Sequence, residues 1–169
     1  DFKDIGDIVL VIGKTEGHID QSLLARMILD EKNGPPPEVN LFNEKNNGET
    51  LLELMEKDYI KSAHDVSLGG ILTAISKMCI KGNKGIELKI PKYLINEIEY
   101  FFSEDQGRYI IEVTSENLKN VTKILDKNSV HFDEIGKIID KNMIINQKTK
   151  VTIDELKSYN TNWLKNYML

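Results

Sequence analysis

Asp7-Ile8-Val9-Leu10-Val11-Ile12-Gly13 is the stretch that decides how this chain folds. Its apolar core is too short for a helix, has no polar alternation and is closed by a glycine, which is the pattern of a strand covered on both faces. A strand of that kind needs neighbours on either edge and helices above and below it. The remainder of the sequence supplies both.

Downstream, Leu23, Leu24, Met27 and Ile28 share one helical face before Asn33-Gly34-Pro35-Pro36-Pro37 stops any helix. From Gly48, the residues Leu51, Leu52, Leu54, Met55 and Tyr59 recur near helical spacing between polar Glu49, Glu53 and Glu56, predicting an amphipathic helix. Ile71, Leu72, Ala74, Ile75, Met78 and Cys79 form the stripe of a packed helix of about three turns. Gly85–Ile90 alternates apolar and polar residues as a strand ended by Pro91. Arg108–Val113, Glu116–Lys127 and His131–Ile139 read as strand, helix and strand, with Leu118, Val121, Ile124 and Leu125 on the helix's inner face. Met143–Ile145 adds a short strand, and the hydroxyl-x-x-Glu spacing of Thr152 and Glu155 opens a closing helix through Leu156 and Trp163. The expected fold is α/β (α+β): a mixed sheet covered by helices.

The 169 residues fit one domain. Hydrophobic residues make up 40% of the chain, enough for a core, and no apolar run is long enough to cross a bilayer, so a membrane is not an expected partner. Lys and Arg total 22 against 27 Asp and Glu, a net charge of -5, which argues against a nucleic-acid-binding surface. The lone Cys79 builds neither a disulfide framework nor a multi-cysteine metal site and is consistent with a reducing cytosol. His18, His64 and His131 lack ligand spacing, so no metal ligand is assigned, and neither is a catalytic residue. The chain begins Asp1-Phe2-Lys3-Asp4, without an initiator Met or a secretory signal, and reads as a piece of a longer polypeptide.

Two segments hold residues suited to chemistry. The first, His64-Asp65-Val66-Ser67-Leu68-Gly69-Gly70, opens a helix. The exposed N–H groups and positive dipole end of a helix start suit an anion, and glycines let a phosphate approach the main chain, which is one reading. In the other, Asp65 or Ser67 caps the helix while Gly69 and Gly70 make the turn. Because Asp65 would repel a phosphate unless Mg²⁺ or a proton intervened, it suits a cap, a sugar hydroxyl or a metal better than direct phosphate contact. The second segment, Phe101-Phe102-Ser103-Glu104-Asp105-Gln106-Gly107-Arg108, precedes an apolar strand. Its carboxylates, amide and guanidinium could hold ribose hydroxyls, a metal or a polar substrate head. Alternatively it is a solvated strand-entry loop in which Arg108 pairs with Glu104 or Asp105 at the surface.

Gly6–Gly13, Ser62-Ala63-His64-Asp65-Val66-Ser67-Leu68-Gly69-Gly70 and Phe102-Ser103-Glu104-Asp105-Gln106-Gly107-Arg108 follow one another in an order and spacing that resemble the last domain of phosphoribosylformylglycinamidine synthase. The resemblance covers essentially the whole chain. It extends to a superfamily containing aminoimidazole ribonucleotide synthetase, selenophosphate synthetase and thiamine-monophosphate kinase, and implies their partly ferredoxin-like C-terminal domain fold. Residues 1–169 would then be the single C-terminal domain of a longer, cytoplasmic, multidomain synthase. The intact protein would be an ATP-dependent carbon–nitrogen ligase of purine biosynthesis, converting formylglycinamide ribonucleotide and glutamine-derived ammonia to the amidine. ATP and Mg would be bound mainly by domains outside this chain, and the partners would be those domains, a glutaminase subunit and a small bridging subunit.

On the same resemblance, His64, Asp65, Ser67, Gly69, Gly70, Glu104, Asp105, Gln106 and Arg108 are the candidate substrate or nucleotide contacts. Glu104, Asp105 and Gln106 stand where an earlier domain of such enzymes holds substrate through a Glu-Ser-Gln loop. Leu68 departs from the family's usual Asp in His-Asp-Val-Ser-Asp-Gly-Gly, which weakens a metal or hydroxyl role for the loop and favours a scaffold. Two other readings are a non-catalytic interaction domain that completes a pseudodimer or docks the glutaminase, and the matching domain of a related synthetase. The isolated domain is expected to be inactive.

Overall fold

The computed structural model describes residues 1–31, 33–91 and 96–168. Strand β1 (Ile8–Ile12) runs through the interior of a seven-stranded sheet. It lies antiparallel between β4 (Tyr109–Val113) and β5 (Phe132–Ile139). Val9 and Val11 point into one core and Leu10 and Ile12 into the other, each fully buried. The unbroken apolar run therefore reflects two covered faces, as expected.

Beyond β4 lies the edge strand β2 (Ser62–Asp65), and beyond β5 lie β3 (Gly85–Leu88), β6 (Asn142–Ile145) and β7 (Thr149–Thr152). Only the β3–β6 pair is parallel, so the sheet is mixed. Because β4 and β5 both run antiparallel to β1, they are parallel to each other with β1 between them. The helix α5 (Leu118–Lys127) crosses from one to the other, giving the split βαβ arrangement of ferredoxin-like folds.

Helices cover both faces. α5 packs beside α2 (Leu41–Glu56) over Leu10 and Ile12, using Val121, Leu125, Leu51 and Leu54. On the other face α3 (Gly70–Gly82) lies against α4 (Glu97–Phe102) and α6 (Ile153–Met168), joining Ile71, Ile75, Met78, Tyr100 and Ile153 in one core. A short helix, α1 (Leu23–Met27), lies after β1 and buries Ala25 among its own residues.

Local signals set most ends. Thr152 and Glu155 form the expected reciprocal cap: Thr152 N donates to Glu155 Oε2 at 2.8 Å and Glu155 N donates to Thr152 Oγ1 at 3.2 Å. That anion-accepting geometry holds the Glu155 carboxyl below its ordinary range. α2 starts at Leu41, seven residues ahead of the apolar periodicity, because Asn40 accepts from Asn43 N and Asn47 is packed against Gly107. α4 carries no sequence periodicity long enough to announce it and starts at Asn96, whose side chain accepts from Ile98 N and Glu99 N.

Candidate functional site

The turn ahead of β4 is built around a buried cation. The Arg108 side chain is 1% exposed and donates from Nε to Asp105 O at 3.2 Å, from Nη1 to Thr15 Oγ1 at 3.0 Å, and from Nη2 to Ser103 O at 2.8 Å. Burial pulls its pKa down, and the Asp105 carboxylate, with Nη1 to Oδ2 at 3.7 Å, counters that loss. Sequence reasoning expected a surface ion pair here. The pair is interior, where removing one partner costs far more than at the surface.

Asp105 is also committed. Its Oδ2 accepts from Glu16 N at 3.0 Å and Gly17 N at 3.1 Å, and its Oδ1 accepts from His18 N at 3.1 Å. Three successive backbone N–H groups of the loop after β1 thus converge on one carboxylate, the concave nest that elsewhere takes a phosphate or another anion. Glu104 does the same for two helix starts: its Oε1 accepts from Leu23 N of α1 at 2.7 Å and from Gly69 N, just ahead of α3, at 2.8 Å. The glycine-rich helix start that could receive a phosphate receives an internal carboxylate.

The close approach needs two glycines. Gly13 has φ of +91°, and a Cβ on it would meet Gly107 O at 2.6 Å; a Cβ on Gly70, φ +69°, would meet both Phe101 O and Ser103 O at 2.6 Å. These contacts bring the loop after β1, the head of α3 and the 101–108 turn together.

The His64–Gly70 segment is used differently. His64 and Asp65 end the edge strand β2, with His64 Nδ1 2.6 Å from Asp65 O and 3.3 Å from Asp65 Oδ1. Asp65, Ser67 and Leu68 are exposed, while Gly69 and Gly70 are buried. Neither Asp65 nor Ser67 caps α3: the cap position is Gly69 in the left-handed conformation, and the side chain that meets its N–H comes from Glu104. That corrects the capping expectation, and the reason is tertiary, since the capping carboxylate lies 35 positions away in sequence.

The two segments meet at Glu104 and Gly69 but border different hollows. Asp105 and exposed Gln106 line a polar cleft of about 430 Å³ with Lys14, His18, Asn43 and Glu44. His64 and Asp65 border a shallower one of about 290 Å³ with Leu51, Met55 and Tyr109. Burial, then Glu44 and Asp65, pushes the Tyr109 hydroxyl up from its ordinary pKa.

Sequence reasoning missed a further carboxylate. Glu112, fully buried on β4, accepts from Lys3 N at 2.9 and 3.0 Å, Asp4 N at 3.0 Å and Ser62 Oγ at 2.7 Å, fastening the N-terminal segment to the sheet. A charge inside the apolar run Tyr109-Ile110-Ile111-Glu112-Val113 was the signal for it. Cys79 lies in the apolar core, where burial pushes its thiol up to about 12 and keeps it a weak nucleophile. Among the described residues no group of three or more His, Cys, Asp or Glu side chains is placed to hold a metal ion, and no helix is long and apolar enough to cross a membrane.

Comparison with known proteins extends this geometry. Residues 4–147 match the family described as AIR synthase related protein, C-terminal domain. The chain is 67% identical over 168 residues to the phosphoribosylformylglycinamidine synthase subunit PurL of Pelagibacter ubique, covering 99% of this chain and 23% of that protein. It is 32% identical over 163 residues to the PurL subunit of Bartonella henselae, covering 96% and 22%. In fold it is similar to a structure described as T. maritima PurL complexed with FGAR, with a TM-score of 0.73 at 20% identity over 91% of this chain and 28% of the other. A structure described as T. maritima PurL complexed with ATP gives 0.70 at 19% identity over 92% and 26%. The chain spans less than a quarter of the length of these two curated relatives.

Proposed function

Given that the chain belongs to the AIR synthase-related C-terminal domain family, we propose that it is the C-terminal domain, residues 1–169, of a multidomain phosphoribosylformylglycinamidine synthase and that it contributes a scaffold to the enzyme. The parent would be an ATP-dependent carbon–nitrogen ligase of purine biosynthesis, acting in the cytoplasm, that converts formylglycinamide ribonucleotide and glutamine-derived ammonia to the amidine. The 67% identity to a PurL subunit, running over almost the whole chain, supports this reading of the parent.

One observation carries the scaffold role: both backbone N–H clusters that could receive an anion near the candidate residues are filled by Glu104 and Asp105 of the same chain. The residues do not fit a magnesium nucleotide, because a phosphate would have to displace two internal carboxylates and no cluster of ligands is assembled for the metal. ATP and Mg²⁺ belong, in this reading, to domains beyond this chain. Relatives solved with ATP, ADP and AMPPCP support nucleotide use by the parent enzyme, and a structure described as PurLQS from Thermotoga maritima supports glutaminase and small bridging subunits as its partners.

Of the nominated residues, Arg108, Asp105 and Glu104 would act by positioning backbone, with Gly69 and Gly70 permitting the close packing. His64, Asp65, Ser67 and Gln106, which keep exposed or partly exposed side chains, are where a shared-site contact would have to come from. The test is a product assay on the full-length protein with formylglycinamide ribonucleotide, ATP and ammonia. Stoichiometric amidine, ADP and phosphate are expected; no amidine under those conditions, or a cyclised or phosphorylated product from a related substrate, sinks the reading.

A further inference from the structure

Large apolar side chains are exposed in unusual density between residues 23 and 42. Met27 and Ile28 are each 73% exposed, and Leu41 and Phe42 each 77%, with Leu29 and Val39 also open to solvent. The two arms of this stretch are held as one surface. His18 Nε2 lies 2.9 Å from Pro35 O and Gln21 Nε2 donates to Gly34 O at 3.1 Å, so the proline connector is clamped onto the loop that precedes α1. At its inner end the surface continues onto Leu68, 64% exposed, because Leu23 N and Gly69 N share the single oxygen Glu104 Oε1.

Neither core cluster includes these side chains. Contiguous apolar surface of this kind on a domain marks a contact with another body. The other body is bounded by length. The curated relatives carry more than three-quarters of their polypeptide outside the region that matches this chain, and a domain packed on such a neighbour buries an apolar patch without a separate partner.

We infer that the face formed by α1, the Pro35–Pro37 connector, the head of α2 and Leu68 is the interface with a neighbouring domain of the same polypeptide. Leu68 has a part in this. Where the family pattern carries an Asp suited to ligand chemistry, this chain presents a leucine next to Leu23, so a loop that faces ligand elsewhere is here turned to packing. The inference rests on the reading of the chain as one domain of a longer synthase.

The experiment uses the full-length protein. Native protein and protein unfolded in urea are treated with hydrogen peroxide, and the oxidation of Met27 is followed by peptide mass spectrometry. Native Met27 is expected to react at least tenfold more slowly than in the unfolded chain; a smaller difference overturns the interface. To identify the occupant, Phe42 is replaced by a photoreactive benzoylphenylalanine. A cross-link to another region of the same polypeptide is expected, and a cross-link to a second copy, to a separate subunit, or none at all overturns the proposal. The product assay separates the two failures: an active synthase with unprotected Met27 removes the interface alone, and a long parent without synthase activity removes the functional reading while leaving the interface standing.

Discussion

The segments Glu104–Arg108 and His64–Ser67 carry comparable polar side chains, and the fold puts them to opposite uses. In the first, Arg108 and Asp105 are buried, and together with Glu104 they meet seven backbone or hydroxyl partners drawn from the 13–23 loop, the head of α3 and their own turn; one of the seven, Asp105 O, lies within the segment. In the second, Asp65 and Ser67 stand in solvent at a sheet edge and His64 turns back on its own neighbour. A polar residue near a glycine-rich turn is therefore no guide by itself to ligand binding. What separates the two is whether backbone N–H groups elsewhere in the chain already claim the carboxylates.

The largest expected effect is at Arg108. Arg108→Met leaves Asp105 buried without its counter-charge and two carbonyls without a donor, and should cost about 3–5 kcal/mol in urea unfolding, whereas His64→Ala and Asp65→Asn should fall within about 0.5 kcal/mol of the parent. Equal losses in the two segments would break the comparison. Next comes Asp105→Asn, which keeps the shape but turns an amide nitrogen toward three N–H donors; a loss of about 2–3 kcal/mol is expected. Amide exchange at Glu16, Gly17 and His18 should rise with it, and unchanged exchange there would show that the nest does not depend on the charge.

Glu104→Ala sharpens the comparison further, since one oxygen serves two helix starts. It should lower stability by about 1–2 kcal/mol, with faster exchange confined to the amides of Leu23 and Gly69. The smallest effect is predicted for Leu68→Asp. At an exposed position of this chain it should shift the midpoint by no more than about 0.5 kcal/mol in the isolated domain, while in the full-length protein it places a charge in the proposed interface and should lower the melting temperature measurably.

The fold was legible where burial leaves a one-dimensional trace. The run Ile8–Ile12 has two covered faces and so no polar alternation, and the stripe Ile71–Cys79 has one, at helical spacing. α4 and the first half of α2 were not legible, because Glu97–Phe102 is too short to show a period, and the polar stretch Asn43–Gly48 is held helical by the Asn40 cap and by Asn47 donating to Gly107 O. The candidate site was legible as a set of residues and opaque as an arrangement. The amides that claim Asp105 lie 87 to 89 positions away, and the one that shares Glu104 with Gly69 lies 81 away. No local pattern records such a distance. The expected Asp65 or Ser67 cap failed for the same reason.

Gln106 is the residue on which a scaffold and a ligand site make opposite demands. It is exposed beside the polar cleft, and its Nε2 donates to Glu104 O across a long 3.4 Å, so its loss should not disturb the fold. The direct measurement is kcat/KM for formylglycinamide ribonucleotide in the full-length protein carrying Gln106→Ala, beside its melting temperature. A scaffold predicts both within about twofold and 1 °C of the parent. A fall of about a hundredfold in kcat/KM at an unchanged melting temperature, equivalent to about 2.7 kcal/mol of lost transition-state stabilisation, would place this segment in contact with substrate and contradict the account.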